Sequence, residues 1–342
     1  MSTIARRIVP TIAIAGAMMM VAAGCAAGEN AAAAPGDASS EWSKTTLTVD
    51  WATYNPLSLV IRDQGIIEDI VGDSVTVEWV QSAGSNKANE LLRSGSVDVG
   101  STAGSAALLA RANGSPIKVI DIYSQPEWAA IVVPADSDIT SLDQLAGKTI
   151  AATKSTDPYF FLLQALEEAG LSLADVEVQN LQHADGWSAL AGGSVDVWSG
   201  LDPIMAAAEV EAGAKLIYRN VDFNTYGFLN ATEDFITNHA DLAQVVVDAY
   251  EQARVWALAH PAETAALLAE VAGIDVDVAN TVIQERSNLD VNGVPGDAQV
   301  AVLTKIVPVL ADSGDVAGGL ASLEKALAEI IYPDFARKAV AG

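Results

Sequence analysis

The chain has one cysteine, Cys25, in 342 residues, so no intramolecular disulfide can form and burial of side chains must hold whatever fold it adopts. Its three histidines, His183, His239 and His260, stand at no metal-ligand spacing from one another or from the cysteine, which excludes the usual zinc signatures and leaves no metal or cofactor to expect. Bases are scarce. Against 44 Asp and Glu there are 18 Lys and Arg, a net charge of −26, so nucleic acid is excluded as a partner. The acids scatter over elements and turns, as on a solvated surface. No Gly-x-Ser-x-Gly elbow is present. Gly147-Lys148-Thr149 imitates the end of a phosphate-binding loop but has Leu142 where the first glycine belongs. Beyond the N-terminal 25 residues no apolar run is long enough to span a bilayer.

What is present starts with Arg6 and Arg7, then an apolar stretch over residues 8–23 that ends in Ala22-Ala23-Gly24-Cys25. Small residues before a cysteine, behind a short basic and apolar leader, read as a signal peptide over residues 1–24 with Cys25 as the point of lipid attachment. An ordinary secretory leader with an incidental cysteine is the alternative, and both place the chain outside the cytosol. Loss of that leader leaves 16 bases against 44 acids, a charge of −28. Residues 25–44, rich in Ala, Gly and Ser, read as a flexible stalk.

From residue 45 the pattern alternates. Strand-like runs at 46–51, 74–81, 97–100 and 117–123 are separated by helical ones, and the rhythm returns with strands at 149–152, 176–181, 195–199 and 215–218. Such alternation predicts an α/β fold in two successive units. From residue 241 onward the chain reads as mostly helical. The pentapeptide Gly-Ser-Val-Asp-Val occurs twice, at residues 95–99 and 193–197, each time between a helix and a turn of small residues, so the two units look like structural cousins. Three turns, Asn55-Pro56, Asp157-Pro158 and Asp202-Pro203, each precede a helix, because proline suits the first helical position, where its missing N–H has no partner to lose. Free N–H groups at several helix starts facing one cleft would let an acidic protein hold an anion.

These residues resemble the extracytoplasmic substrate-binding proteins of ABC importers, in the branch that includes aliphatic sulfonate, taurine and nitrate binders. The stretches that carry the resemblance are 95–105 (GSVDVGSTAGS), 127–133 (EWAAIVV), 141–149 (SLDQLAGKT), 154–166 (KSTDPYFFLLQAL) and 193–203 (GSVDVWSGLDP). The resemblance implies the two-lobed type II periplasmic-binding-protein architecture, with ligand enclosed by hinge closure. Residues 45–130 and 227–342 would form the first lobe and 131–226 the second, with crossing segments near 127–134 and 226–231. Carried over by position, Ser101, Thr102 and Ser105 fall in the first lobe's binding loop, and Ser155, Thr156 and Asp157 in the second's. Asp202 starts a further helix toward the cleft, although a cap for its own helix is the plainer role for Asp157 and Asp202 alike. Tyr54 and Trp128 would wall the pocket, a core position being the other reading for Trp128. Arg286 stands where sulfonate-binding relatives carry an arginine, whose planar fork of donors suits a sulfonate. An ion pair with Glu285 or Asp290 is the competing role. The sequence departs from the family at Lys154-Ser155, where glycine is common, and at Ser199-Gly200-Leu201, where an aromatic is. The implied activity is capture of a small ligand, an aliphatic sulfonate or related anion, by a monomer that delivers it to an ABC permease. An extracytoplasmic enzyme or a sensor lipoprotein on the same fold are the alternatives.

Overall fold

The computed structural model describes residues 42–341; Cys25, the leader and the stalk up to residue 41 lie outside them. Among the described residues no helix is long and apolar enough to cross a membrane. The chain is already held at Ser43, whose N–H and hydroxyl both donate to Asp241, and at Lys44, which pairs with Asp98 at 2.5 Å. Ser43 and Lys44 are therefore not part of the flexible stalk expected over residues 25–44.

Ten strands follow in chain order: β1 (Thr46–Trp51), β2 (Thr76–Gln81), β3 (Val99–Ala103), β4 (Ile117–Ser124), β5 (Ala129–Val133), β6 (Thr149–Ala152), β7 (Glu177–Asn180), β8 (Val197–Leu201), β9 (Lys215–Tyr218) and β10 (Gly227–Thr232). They form two five-stranded sheets, ordered β2-β1-β3-β10-β4 and β7-β6-β8-β5-β9. The two orders are the same plan. The repeated pentapeptide marks equivalent places in it. Gly95 and Gly193, each at φ 68°, end a helix in the left-handed conformation that glycine accepts without strain. Asp98 and Asp196 then accept the N–H of Thr48 and of Thr149, each at 2.9 Å, tying the incoming strand to the first strand of its sheet.

The chain leaves the first sheet after Ser124 and enters the second at Ala129; it returns between Tyr218 and Gly227. Most of each stretch expected to cross, 127–134 and 226–231, is therefore strand, namely β5 and β10. Both run antiparallel to their neighbours, so neither sheet is wholly parallel. A chain that crosses directly arrives at the carboxyl ends of the parallel strands and can only run back against them, whereas parallel entry needs a long crossover.

The C-terminal region is helical, with Ala240–Ala259, Pro261–Ala272, Asp297–Asp312 and Gly319–Glu329 as its longest helices, and it returns to the first sheet. Arg254, buried in the longest of them, donates to the carbonyls of Ile122 and Tyr123 on β4 and of Leu289. The N–H of Val119 and the N–H of Tyr332 complete the join, bonding to Ile330 at 2.8 Å and back to Val119 at 2.9 Å. Leu47, Val49, Val99 and Phe228 are fully buried around the first sheet, and Ile131, Phe160 and Trp198 around the second.

Candidate functional site

The carboxyl ends of β1 and β3 face those of β6 and β8 across a closed cleft. Of the three prolines only Pro56 takes the first helical position expected of it, opening Pro56–Gln64 behind Asn55, whose side chain accepts from Ser58 N–H at 3.3 Å. Pro158 stands second in helix Asp157–Glu168, with Asp157 inside the helix and not its cap, and Pro203 precedes helix Ile204–Ala212. Asp202 Oδ1 accepts from Ala206 N–H at 2.9 Å, the capping role its position allowed.

Ser101 and Thr102 do not lie in a loop. They belong to β3, because β10 pairs with it through Ser101↔Leu229 and Thr102↔Phe228. Their polar groups are engaged inside the first lobe. Thr102 Oγ1 donates to the Ala103 carbonyl at 2.9 Å and accepts from Asn230 Nδ2 at 2.9 Å. Ser101 N–H donates to Asp50 Oδ1 at 2.8 Å and its hydroxyl reaches Asp50 Oδ2 at 3.1 Å.

Asp50 is wholly buried with no cation beside it, and burial pushes its carboxyl up to about 7 against the hydrogen bonds that pull it down. Proton counting agrees. Tyr54 OH lies 2.9 Å from the Ser101 carbonyl and 3.0 Å from Ser82 Oγ, which in turn lies 2.7 Å from Asp50 Oδ2. With Asp50 protonated, the chain Asp50 to Ser82 to Tyr54 to the Ser101 carbonyl has a proton for every link. With Asp50 ionised, Ser82 must donate to Asp50 and Tyr54 to Ser101, leaving the Tyr54–Ser82 contact without one.

Asp157, at the start of helix Asp157–Glu168 in the second lobe, is a junction. Its carboxylate accepts from Ser105 Oγ of the first lobe at 2.5 Å, from Trp128 Nε1 between β4 and β5 at 2.8 Å, and from Thr225 N–H and Oγ1 ahead of β10, both at 2.7 Å. One buried carboxylate thus binds both crossing segments and both lobes, although burial raises its pKa. Thr156 turns its hydroxyl to the Thr153 carbonyl at 2.6 Å. Ser155 sits at φ 62°, a conformation in which glycine is unstrained and serine is not. It lines a separate cavity of about 180 Å³ against helices Ser85–Ser94 and Gly104–Ala112.

Four of the expected residues do converge: Tyr54, Trp128, Asp202 and Arg286 line one cavity together with Thr53 and Ser124. Tyr54 and Trp128 meet edge to face, 6.1 Å between ring centres. Arg286 pairs with neither Glu285 nor Asp290; its Nη1 lies 3.3 Å from Asp202 Oδ1 and its Nη2 2.5 Å from Glu209 Oε2. Its Nε is buried and unpartnered. Burial pushes the Asp202 carboxyl up to about 6 while Arg286 pulls against it. The enclosed space is about 10 Å³, room for about one water. Ser101, Thr102, Ser105, Thr156 and Asp157 do not line it.

Asp50, Ser82, Glu209 and Asn230 were not anticipated. Asp50 carries a legible signal, an acid at the carboxyl end of a run of apolar and threonine residues; Glu209, one acid of many on a helix, carries none.

The family model described as NMT1/THI5 like matches residues 73–264. The putative aliphatic sulfonates-binding protein of Escherichia coli (strain K12) is 28% identical over 229 residues, 66% of this chain and 71% of that protein. Among solved structures, the alkanesulfonate-binding protein SsuA from Xanthomonas axonopodis pv. citri bound to MOPS superposes with a TM-score of 0.72 at 23% identity, covering 86% of this chain and 98% of that one. The desulfurization enzyme DSZB has the same fold, with a TM-score of 0.63 at 17% identity over 87% of this chain and 99% of its own. With its paired sheets joined by two crossing strands, and with the family model spanning more than half of its length, the chain belongs to the NMT1/THI5-like family.

Proposed function

We propose that this chain is an extracytoplasmic solute-binding protein of an ABC import system, held to the outer face of the membrane through Cys25, that encloses a small solute bearing a sulfonate or related oxyanion between its lobes and presents it to a permease. The observation that carries the reading is the convergence of Tyr54, Trp128 and Arg286 on one interlobe cavity, in a chain whose curated relatives bear the name of sulfonate binders. The closed cavity is too small for any such solute, so uptake requires the lobes to part about the two crossing segments and close again around the guest. A net charge of −26 repels an approaching anion at long range, so affinity has to come from local donors in a water-poor cleft, where they act at low dielectric. Arg286 is the principal one. In the closed form it is held by two carboxylates, and an entering sulfonate takes over part of that fork. The protein makes and breaks no covalent bonds in this role and acts as a monomer.

Isothermal titration with propane-1-sulfonate, taurine, nitrate and glucose, at fixed pH and salt, tests the reading. Binding confined to sulfonates supports it. Binding of the neutral sugar alone, or turnover of a sulfonate on prolonged incubation, overturns it.

A further inference from the structure

At the edge of the cleft a histidine of one lobe abuts a glycine of the other. His183 opens helix His183–Ala191 of the second lobe and is 3% exposed. Its Nδ1 lies 3.1 Å from Thr153 Oγ1, and that hydroxyl lies 2.7 Å from the Leu181 carbonyl. A hydroxyl has one proton, and the Leu181 carbonyl can only accept. Thr153 therefore gives its proton to Leu181 and accepts from His183, which fixes the proton of the neutral ring on Nδ1 and leaves Nε2 as a bare acceptor.

That Nε2 faces the first lobe and has no partner. A Cβ on Gly84 would stand 3.0 Å from His183 Nε2, 3.2 Å from its Cδ2 and 2.9 Å from Asn86 Oδ1, so only glycine, here at φ 150°, lets the imidazole edge meet the backbone. Asn86 Oδ1 is itself buried without a partner and makes no hydrogen bond to the ring. Two acceptors thus flank the closed contact. A proton added to Nε2 would sit buried against Gly84 with no hydrogen bond formed to it in the closed geometry.

We infer that His183 is a positioning residue for capture: the lobes close fully only while its ring is neutral, and its protonation in the opened cleft opposes closure. The inference rests on the capture reading above and adds its regulation by pH. The charged groups on the elements packed against the ring are Asp185 on its own helix, Lys154 beside Thr153, and Lys87 and Glu90 on helix Ser85–Ser94. Asp185, Lys154 and Glu90 are exposed, Lys87 is partly so, and Lys87 and Glu90 pair with each other at 2.9 Å. In the closed form burial alone pushes the imidazole down to about 3. Opening lets water reach Nε2, and the ring then titrates near its ordinary value, so the open form takes up a proton that the closed form refuses.

A sulfonate stays ionised throughout, but Asp202 beside Arg286 titrates in the same range, so the effect is read as the difference between wild type and His183→Gln in affinity for propane-1-sulfonate, measured by titration calorimetry from pH 7.5 to pH 5.0. One proton bound by an open-state histidine of ordinary pKa, about 6.5, weakens binding about thirtyfold over that range. In His183→Gln that component is absent, so the wild-type loss should exceed the variant's by about thirtyfold. Asn86→Asp, which sets a carboxylate beside Nε2, is expected to abolish or reverse the acid weakening, and it keeps the test open if His183→Gln folds poorly. Wild-type and His183→Gln profiles that superimpose, or Asn86→Asp behaving as wild type, overturn the inference while leaving capture intact. If no sulfonate binds at any pH, the capture reading is the one that fails. The gate is then read in the ligand-free protein, where small-angle scattering should show a larger radius of gyration in acid for wild type and not for His183→Gln; equal radii reject it.

Discussion

Arg286 and Asp202 meet across the cleft with Nη1 3.3 Å from Oδ1, each side chain 4% exposed, although 84 positions separate them in the chain. Glu209 takes the second arm of the guanidinium. The cluster carries two acids on one base, so it closes the cleft at the cost of keeping a negative surplus beside the proposed anion site.

Arg286→Met should therefore cost about 3–5 kcal/mol of unfolding free energy, because it strands a buried carboxylate. Adding Asp202→Asn should recover most of that loss. Urea unfolding of the two variants checks this, and a double variant as unstable as the single would remove the pairing argument.

Asp157→Ala should be among the most damaging changes at the cleft, since four donors from Ser105, Trp128 and Thr225 lose their acceptor together. A loss of about 2–4 kcal/mol is expected from stranded buried donors. The same variant frees the Trp128 indole N–H, so a red shift in tryptophan emission before global unfolding is the accompanying sign.

Asp50 sets a pH dependence. Its folded value of about 7 lies above the ordinary carboxylate value of 3.8. The folded state thus binds the proton more tightly, and the stability it confers is complete below the ordinary value and lost as pH rises through the folded one. Thermal melts of wild type should fall between about pH 4 and pH 8, the window set by the ordinary and the raised values, and level off above it. Asp50→Asn, whose amide N–H replaces the acid proton toward Ser82, should flatten the fall and match or exceed wild type at the alkaline end. An Asn variant with an unchanged slope would show that Asp50 is not the titrating group.

Gly227, at the start of β10, has Tyr123 ring carbons 2.4 Å from where a Cβ would stand. Gly227→Ala should destabilise by about 1–3 kcal/mol through overpacking. Gly296→Ala, with nothing within 4 Å of its Cβ position, is the control expected to change stability little.

Cys25→Ser should release the protein from the membrane fraction of a producing bacterium into the soluble extracytoplasmic fraction if lipid attaches at that cysteine. Fractionation with immunodetection distinguishes the outcomes, and an unchanged membrane share would leave the tether without its anchor.

The α/β rhythm, the helix start at Pro56, and the equivalence of Gly95 with Gly193 were legible because each reflects chemistry within a turn or two of chain: alternation of apolar residues, a missing N–H, a left-handed glycine. β5 and β10 were not recognised as strands. Short apolar runs such as Ala129–Val133 carry no period of their own and become strands only when a sheet offers them two edges. Arg286 could be singled out by its type, yet the sequence offered its neighbours Glu285 and Asp290 as partners, and folding supplied Asp202 and Glu209 instead. The sequence by itself determined two α/β units and an acidic composition. Only the tertiary structure decided which hydroxyls are spent on Asp50 and Asp157, which side chains share the cleft, and which proton the His183 ring retains, because each depends on groups brought together from distant positions that no local pattern records.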